Sequence, residues 1–245
     1  MTFVAFLAIR LSKDWRRDLY VPFGRCVESW RHFAHRTAMT GDTRNRILVA
    51  SLLLFNEHGE PRTTTNQIAD EVDISPGNLH YHFRKKSQVV DALLDEFQVD
   101  AKRLLAPPEE VSLDDFWMFL HLLLELTAAY RFLFRDLEAL TEAYPRVGRV
   151  LGHFAKGLTS IFELYVRGLS SAKVLQVGDG EAAAISRNLA VIALFSGRFD
   201  WLTGEDESAD EEALRIAGSI LSAIRPFAAR SAVPQIDRLS AHYTG

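Results

Sequence analysis

Polar side chains able to do recognition chemistry concentrate in one stretch, Thr63 to Lys86, TTTNQIADEVDISPGNLHYHFRKK. Asn78, His80, Tyr81 and His82 are short or planar groups suited to hydrogen-bonding with base edges and phosphate oxygens. Thr64, Thr65, Ser75, Pro76 and Gly77 frame them with hydroxyls and compact backbone. Arg84, Lys85 and Lys86 follow directly, a cationic step of the kind that meets a phosphate chain. Catalytic chemistry is harder to assemble. The eight histidines are scattered. His121 and Glu125 stand four residues apart and share a helical face, as a ligand-anchoring pair or as a structural hydrogen bond. No further ligand stands at metal-like spacing, so no metal is expected. No glycine-rich phosphate loop, nucleophile elbow or paired-carboxylate motif occurs. An enzyme built on His121 and Glu125 is the weakest of the readings.

The elements that must position the polar stretch can be read from its caps. Thr64 and Thr65 are N-cap residues, and Ile68, Ala69 and Val72 give the following short helix an apolar stripe. Asp73 falls where the chain must turn through a left-handed backbone, which aspartate tolerates. Ser75 followed by Pro76 is an N-cap with proline at the first helical position. Ile74, Leu79 and Phe83 face inward from this second helix, leaving Gly77, Asn78, His80, Tyr81 and His82 outside. Two short helices joined by a tight turn, with the second polar outward, form a helix-turn-helix whose second helix enters a major groove. A helical hairpin with a solvated polar face is the bland alternative. Caps, turn length, inward pattern and basic step together favour the DNA reading.

The residues from Thr43 to about Leu104 resemble the N-terminal domain of TetR/AcrR-family transcriptional regulators. The matching positions are Thr65, Ile68-Ala69, Ser75-Pro76-Gly77-Asn78-Leu79, His80-Tyr81-His82-Phe83 and Lys86. Asp73 stands where the family usually has glycine, and His80 where it usually has tyrosine. The wording SPGNL-x-YHF also resembles a subset that includes regulators of polyhydroxyalkanoate gene clusters. The resemblance implies a cytoplasmic repressor that binds a palindromic double-stranded operator as a homodimer, without a cofactor. It further implies C-terminal helices that enclose an effector, with the last two forming a dimeric four-helix bundle. Aromatic positions then become pocket candidates for an apolar or fatty-acyl ligand: Phe116, Phe119, Phe154 and Phe162, with Leu120, Leu123 and Leu158. His121 and Glu125 would be the polar members. Aromatic residues at helical spacing are equally the ordinary content of a core.

The 245-residue chain is 48% apolar and 24% charged, the composition of an ordinary globular protein. Cys26 is the only cysteine, which excludes an intramolecular disulfide and a cysteine zinc site. No apolar run approaches the length of a bilayer span, so no membrane partner is expected. Charge is uneven. Residues 1–38 hold seven Lys/Arg against three Asp/Glu, residues 39–105 eight against ten, and residues 106–245 thirteen against nineteen. The DNA-facing charge is therefore local, and dimerisation must multiply it.

The whole reads as all-α: an N-terminal three-helix helix-turn-helix domain and a C-terminal helical ligand-binding and dimerisation bundle. Residues 1–38 lack sustained periodicity, and Met39 is read as an alternative start; a basic arm is the other reading. Residues 39–105 form the DNA-binding domain, 106–230 the effector and dimerisation domain, and 231–245 a tail. Ser112 with Asp115 opens a helix whose run Phe116–Leu126 is apolar on nearly all sides, marking a buried position. Further helices are expected through Phe132–Leu140, Arg146–Leu169, Glu181–Leu202 and Asp210 to about Phe227. The last two are rich in small residues, compatible with close packing across a dimer axis or within the chain. A helical carrier of apolar molecules with a degenerate DNA unit is the second reading of the chain.

Overall fold

The computed structural model describes residues 42–108, 110–204, 209–241 and 243. The expectations for residues 1–38 and Met39 lie outside the described residues. The chain divides into two compact units, one holding residues 42–101 and 129–150, the other 102–128 and 151–245. Among the described residues the secondary structure is helical, apart from one isolated bridge between Leu175 and Ala228.

The first unit opens with α1, Thr43–His58, which buries Ile47, Leu48, Ala50, Leu52 and Phe55. It ends at Gly59, whose φ of 89° is a conformation that suits glycine and whose N–H bonds Phe55 O. Next comes α2, Thr65–Glu71, whose cap is Thr64: Gln67 N–H donates to Thr64 Oγ1, and Thr64 N–H donates to Gln67 Oε1. This reciprocal capping box satisfies two otherwise orphaned donors. The exit from α2 is a Schellman turn. Asp73 N–H donates to Asp70 O, Ile74 N–H donates to Ala69 O, and Asp73 adopts the expected left-handed backbone at φ 54°. Ser75 then caps α3, Pro76–His82, by accepting from Asn78 N–H, with Pro76 at the helix start. Leu79 and Phe83 are buried under α3, and Ile74 is half-buried. The body of α4, Lys86–Leu104, buries Val89, Val90, Leu93, Leu94 and Phe97 behind these helices up to the unit boundary.

The first unit also recruits chain from well beyond the DNA-facing stretch. The helix expected through Phe132–Leu140 is two short helices, α6, Arg131–Arg135, and α7, Leu137–Ala143, separated at Asp136. Phe132, Leu133 and Leu140 are fully buried, and the Phe55 and Phe132 rings lie 5.4 Å apart.

In the second unit, α5, Leu113–Ala129, starts at Ser112, which accepts from Asp115 N–H and donates to the Asp115 carboxylate. Leu113, Phe116, Phe119, Leu120, Leu123, Leu124 and Leu126 are all buried, as the all-round apolar pattern requires. Against it runs the later part of α8, Pro145–Ser171, which buries Phe154, Leu158, Ile161, Phe162 and Tyr165. Gly168 permits a close approach: a Cβ there would stand 2.6 Å from Val111 Cγ1.

Part of the small-residue content packs within the chain, while Ala183, Ala184 and Ser219 are exposed. Helix α9, Asp179–Thr203, packs along α10, Ala209–Ile224. Ala182, Ala190, Ala193, Ala213 and Ala217 are buried, and a Cβ on Gly197 would collide with the Glu212 carboxylate. Arg215 pairs with Asp200 across the same seam at 2.6 Å. A short 3-10 turn, Arg225–Phe227, follows. Beyond residue 230, where a tail is expected, Val233–Ala241 forms α11, with Ile236 buried and Arg225 held to Asp237 by two hydrogen bonds.

Candidate nucleic-acid interface and buried aromatic cluster

The candidate DNA residues divide between exposed polar groups and the caps that fix them. Pro76, Gly77, Asn78 and His80 are exposed along α3, His82 is half-buried, and Tyr81 is 84% exposed. An aromatic ring left in water at that level contributes nothing to the core, so its helix presents it outward while Leu79 anchors the other face. The Tyr81 and His82 rings meet edge to face, 5.3 Å between centroids. Ser75 and Thr64 are exposed and their hydroxyls hold backbone amides; Thr65 is half-buried at the first position of α2.

Lys86 departs from the expectation of a phosphate contact. Its ammonium lies 2.8 Å from the Glu60 carboxylate and donates to Glu60 O at 2.8 Å and Thr63 O at 2.9 Å. Three acceptors satisfy its three donors, so this charge is turned into the protein. The physical reason is Glu60, whose side chain is almost entirely buried and needs a counter-ion. Exposed cationic groups near α3 are instead Arg84 and Lys85, with Arg62 on the turn before α2. Arg44 stacks over the Phe83 ring at 5.0 Å, and Arg46 donates to Val72 O. Arg84 and Lys85 are the exposed members of the basic step; Lys86, its third member, turns inward.

Three of the pocket candidates form a ring cluster in the second unit. Phe116, Phe119 and Phe162 meet around Tyr165, with centroid distances of 5.4 Å for Phe116–Tyr165, 5.2 Å for Phe119–Tyr165 and 5.5 Å for Phe119–Phe162. Burial pushes the Tyr165 hydroxyl up to about 12, with nearby Asp115 adding to the shift. Leu120, Leu123 and Leu158 are fully buried, and Phe154 nearly so. Glu125 is buried on α5. His121, one turn before it, is half-buried; its Nδ1 lies 3.0 Å from Trp117 O and 3.1 Å from the Tyr243 hydroxyl. Tyr165 and Tyr243 escape a reading of the sequence because each lies far along the chain from the α5 residues it meets. Among the described residues no group of three or more His, Cys, Asp or Glu could hold a metal ion. None of the described helices is long and apolar enough to cross a membrane.

A third surface is apolar. Along α9, Val191, Phe195, Phe199 and Leu202 recur on one helical stripe, and Phe199 and Leu202 are 66% and 74% exposed. Gly197 and Asp200 meet α10 at Glu212 and Arg215, while these large side chains stand exposed on a separate stripe.

Comparison with known proteins finds matches over both parts of the chain. Residues 47–93 match the family described as bacterial regulatory proteins, tetR family, and residues 96–235 match the family described as bacterial transcriptional repressor, TetR. The second match alone covers more than half of the chain. The transcriptional repressor KstR2 of Mycolicibacterium smegmatis is 35% identical over 54 residues, 22% of this chain and 26% of that protein. The regulator TtgW of Pseudomonas putida is 37% identical over 62 residues, 25% of this chain and 46% of that protein. Both alignments span less than half of the relative. A solved TetR-family transcriptional regulator from Marinobacter aquaeolei VT8 superposes with a TM-score of 0.74 at 28% identity, covering 83% of this chain and all of that one. The family is one of DNA-binding regulators and not of enzymes. With an all-helical fold, a capped helix-turn-helix and matches over both parts of the chain, this protein belongs to the TetR family of bacterial transcriptional repressors.

Proposed function

We propose that the chain is a sequence-specific DNA-binding repressor that works as a homodimer in the cytoplasm and is switched by a small apolar or acyl-bearing effector. One observation carries the DNA reading: Tyr81 is left in water beside Asn78 on a helix whose other face is anchored by buried Leu79. Asn78, His80, Tyr81 and His82 meet base edges and phosphates, while Ser75, Pro76, Gly77, Thr64 and Thr65 fix and flank α3. Arg84, Lys85 and Arg62 supply the phosphate charge, and Lys86 positions the unit from within. The apolar stripe of α9 meets the same stripe of a second copy about a two-fold axis. Two α3 helices then enter successive major grooves about 34–36 Å apart, which requires a palindromic operator.

The effector reading rests on the ring cluster of Phe116, Phe119 and Phe162 and on the buried Phe154, Leu120, Leu123 and Leu158 of the same unit. Its rings and aliphatic side chains favour an apolar body, with His121 and Glu125 available to a polar end. An effector changes DNA affinity only by its differential affinity for the two states.

Selection from a pool of random duplexes by the full chain tests the DNA reading. Recovery of a palindrome with half-sites one helical turn apart supports it. Failure to retain any duplex at low salt overturns it and favours a helical carrier of apolar molecules.

A further inference from the structure

We infer that Asn56 and Arg135 are positioning residues that clamp the break between α5 and α6 to the end of α1, coupling this part of the chain to DNA reading. The inference rests on the DNA-binding reading above.

Two backbone ends meet here, and each leaves groups that need partners. At the end of α1, Arg135 donates from Nη1 to Asn56 O at 2.9 Å and from Nη2 to Phe55 O at 3.1 Å, the latter a second bond to a carbonyl that also accepts from Gly59 N–H. At Tyr130 the helix is interrupted between α5 and α6, which leaves Ala129 O and Phe132 N–H. Asn56 serves both with one carboxamide, donating from Nδ2 to Ala129 O at 2.8 Å and accepting from Phe132 N–H at 2.9 Å. Each end therefore caps the other through four hydrogen bonds spanning 73 to 80 residues of sequence. The fully buried Phe55 and Phe132 rings lie in contact beside them. The approach is close enough that a Cβ on Gly59 would stand 2.9 Å from Asp136 Oδ2.

A second tie secures the same segment. Tyr144 donates its hydroxyl to Glu60 Oε1 at 2.6 Å, the carboxylate that Lys86 also holds. Glu60 precedes α2 and Lys86 begins α4, so Tyr144 reaches both flanks of the helix-turn-helix through one buried carboxylate.

Only a carboxamide meets the requirement at position 56. Aspartate has the same shape and can accept from Phe132 N–H, but it has no donor for Ala129 O and would place charge against that carbonyl. The clamp lies within the first compact unit, and Ala129, whose carbonyl Asn56 holds, is the residue at which α5 enters that unit. Any rearrangement of α5 that reshapes the break at Tyr130 must break the Asn56 bonds or carry the end of α1 with it. Coupling of this kind is reciprocal, so operator binding must in turn be felt at the break.

The test uses the full chain and an operator duplex selected from a random pool, reading backbone hydrogen exchange across residues 130–136. In the wild type, duplex binding slows exchange there by about tenfold, within the usual range of coupling between sites. In Asn56→Asp the DNA-dependent slowing falls to within about twofold, while circular dichroism and duplex retention persist. Tyr144→Phe, which removes one hydroxyl, weakens the slowing partially and serves if Asn56→Asp fails to fold. A merely structural cap would give exchange that is faster in the variants but indifferent to DNA in every protein; that result, with duplex retained, overturns the coupling alone. Failure to retain any duplex overturns the DNA reading beneath it.

Discussion

Lys86 and Glu60 form an ion pair of 2.8 Å in which the carboxylate is almost wholly buried and the lysine also donates to two backbone carbonyls. This pair turns the Lys86 charge into the helix-turn-helix, whereas Arg84 and Lys85 beside it stay exposed. Removing one partner of such a pair strands the other. Lys86→Ala is expected to destabilise the protein by about 2–4 kcal/mol, read as a fall in denaturant midpoint. Arg84→Ala and Lys85→Ala should leave that midpoint in place. Each should instead reduce the slope of log affinity against log salt by roughly one for every phosphate it no longer neutralises. A stable Lys86→Ala protein with a reduced salt slope would return Lys86 to the DNA surface.

Asp73 holds the turn between α2 and α3 at φ 54°, in the left-handed region where a side chain is strained and glycine is not. Asp73→Gly is expected to stabilise the protein by about 0.5–1 kcal/mol in urea unfolding, since the backbone already adopts the glycine conformation. Asp73→Val should destabilise it, because a β-branched residue resists this conformation.

The exposed stripe on α9 makes the proposed dimer testable. Phe199→Glu puts a charge where an aromatic ring would be buried between copies. It is expected to raise the dimer dissociation constant at least about tenfold in sedimentation equilibrium, the equivalent of losing ~1.5–3 kcal/mol of buried side chain. The helical content of the chain should be unchanged, because Phe199 stands free of its own chain's core. An unaltered dimer would move the interface elsewhere.

Glu96 gives the pH dependence a sign. Burial holds its carboxyl above the usual carboxylate range, with Arg44 pulling the other way. A carboxyl whose value is raised on folding binds its proton more tightly in the folded state, so stability is lost as pH rises from the unfolded value through the folded one. Glu96→Gln should therefore raise Tm at about pH 8 and leave it nearly unchanged at about pH 4. Melting curves at the two pH values decide this.

Local chemistry explains which features can be read in advance. The Thr64 and Ser75 caps, the Asp73 turn and the inward Leu79 and Phe83 each depend on residues within a few positions, and the structure places them as the spacing demands. The direction of the Lys86 side chain depends on Glu60, 26 residues away, and a flexible four-carbon stem gives no local sign of which way it turns. The interruption near Tyr130 is legible, since separate helices through Leu126 and from Phe132 are expected, but its partner Asn56 lies 73 to 76 residues away; the break at Asp136 is hidden because apolar spacing runs straight through it. Likewise α11 shows only a short apolar pattern, and its anchor, Ile236, becomes visible once packed. The small residues of α9 and α10 are legible as a close-packing face, but whether the partner lies within the chain requires Gly197 and Glu212 to be seen together.

Base reading by α3 is open to direct measurement. The direct measurement is the affinity ratio between the selected palindrome and a base-shuffled duplex, at one fixed salt concentration, for the wild type, Asn78→Ala and Tyr81→Ala. A base contact contributes about 1–3 kcal/mol of discrimination, so the ratio should fall roughly tenfold or more in each variant while affinity for the shuffled duplex holds within about twofold. A ratio that is unchanged, or a parallel loss on both duplexes, would contradict the claim that Asn78 and Tyr81 read sequence.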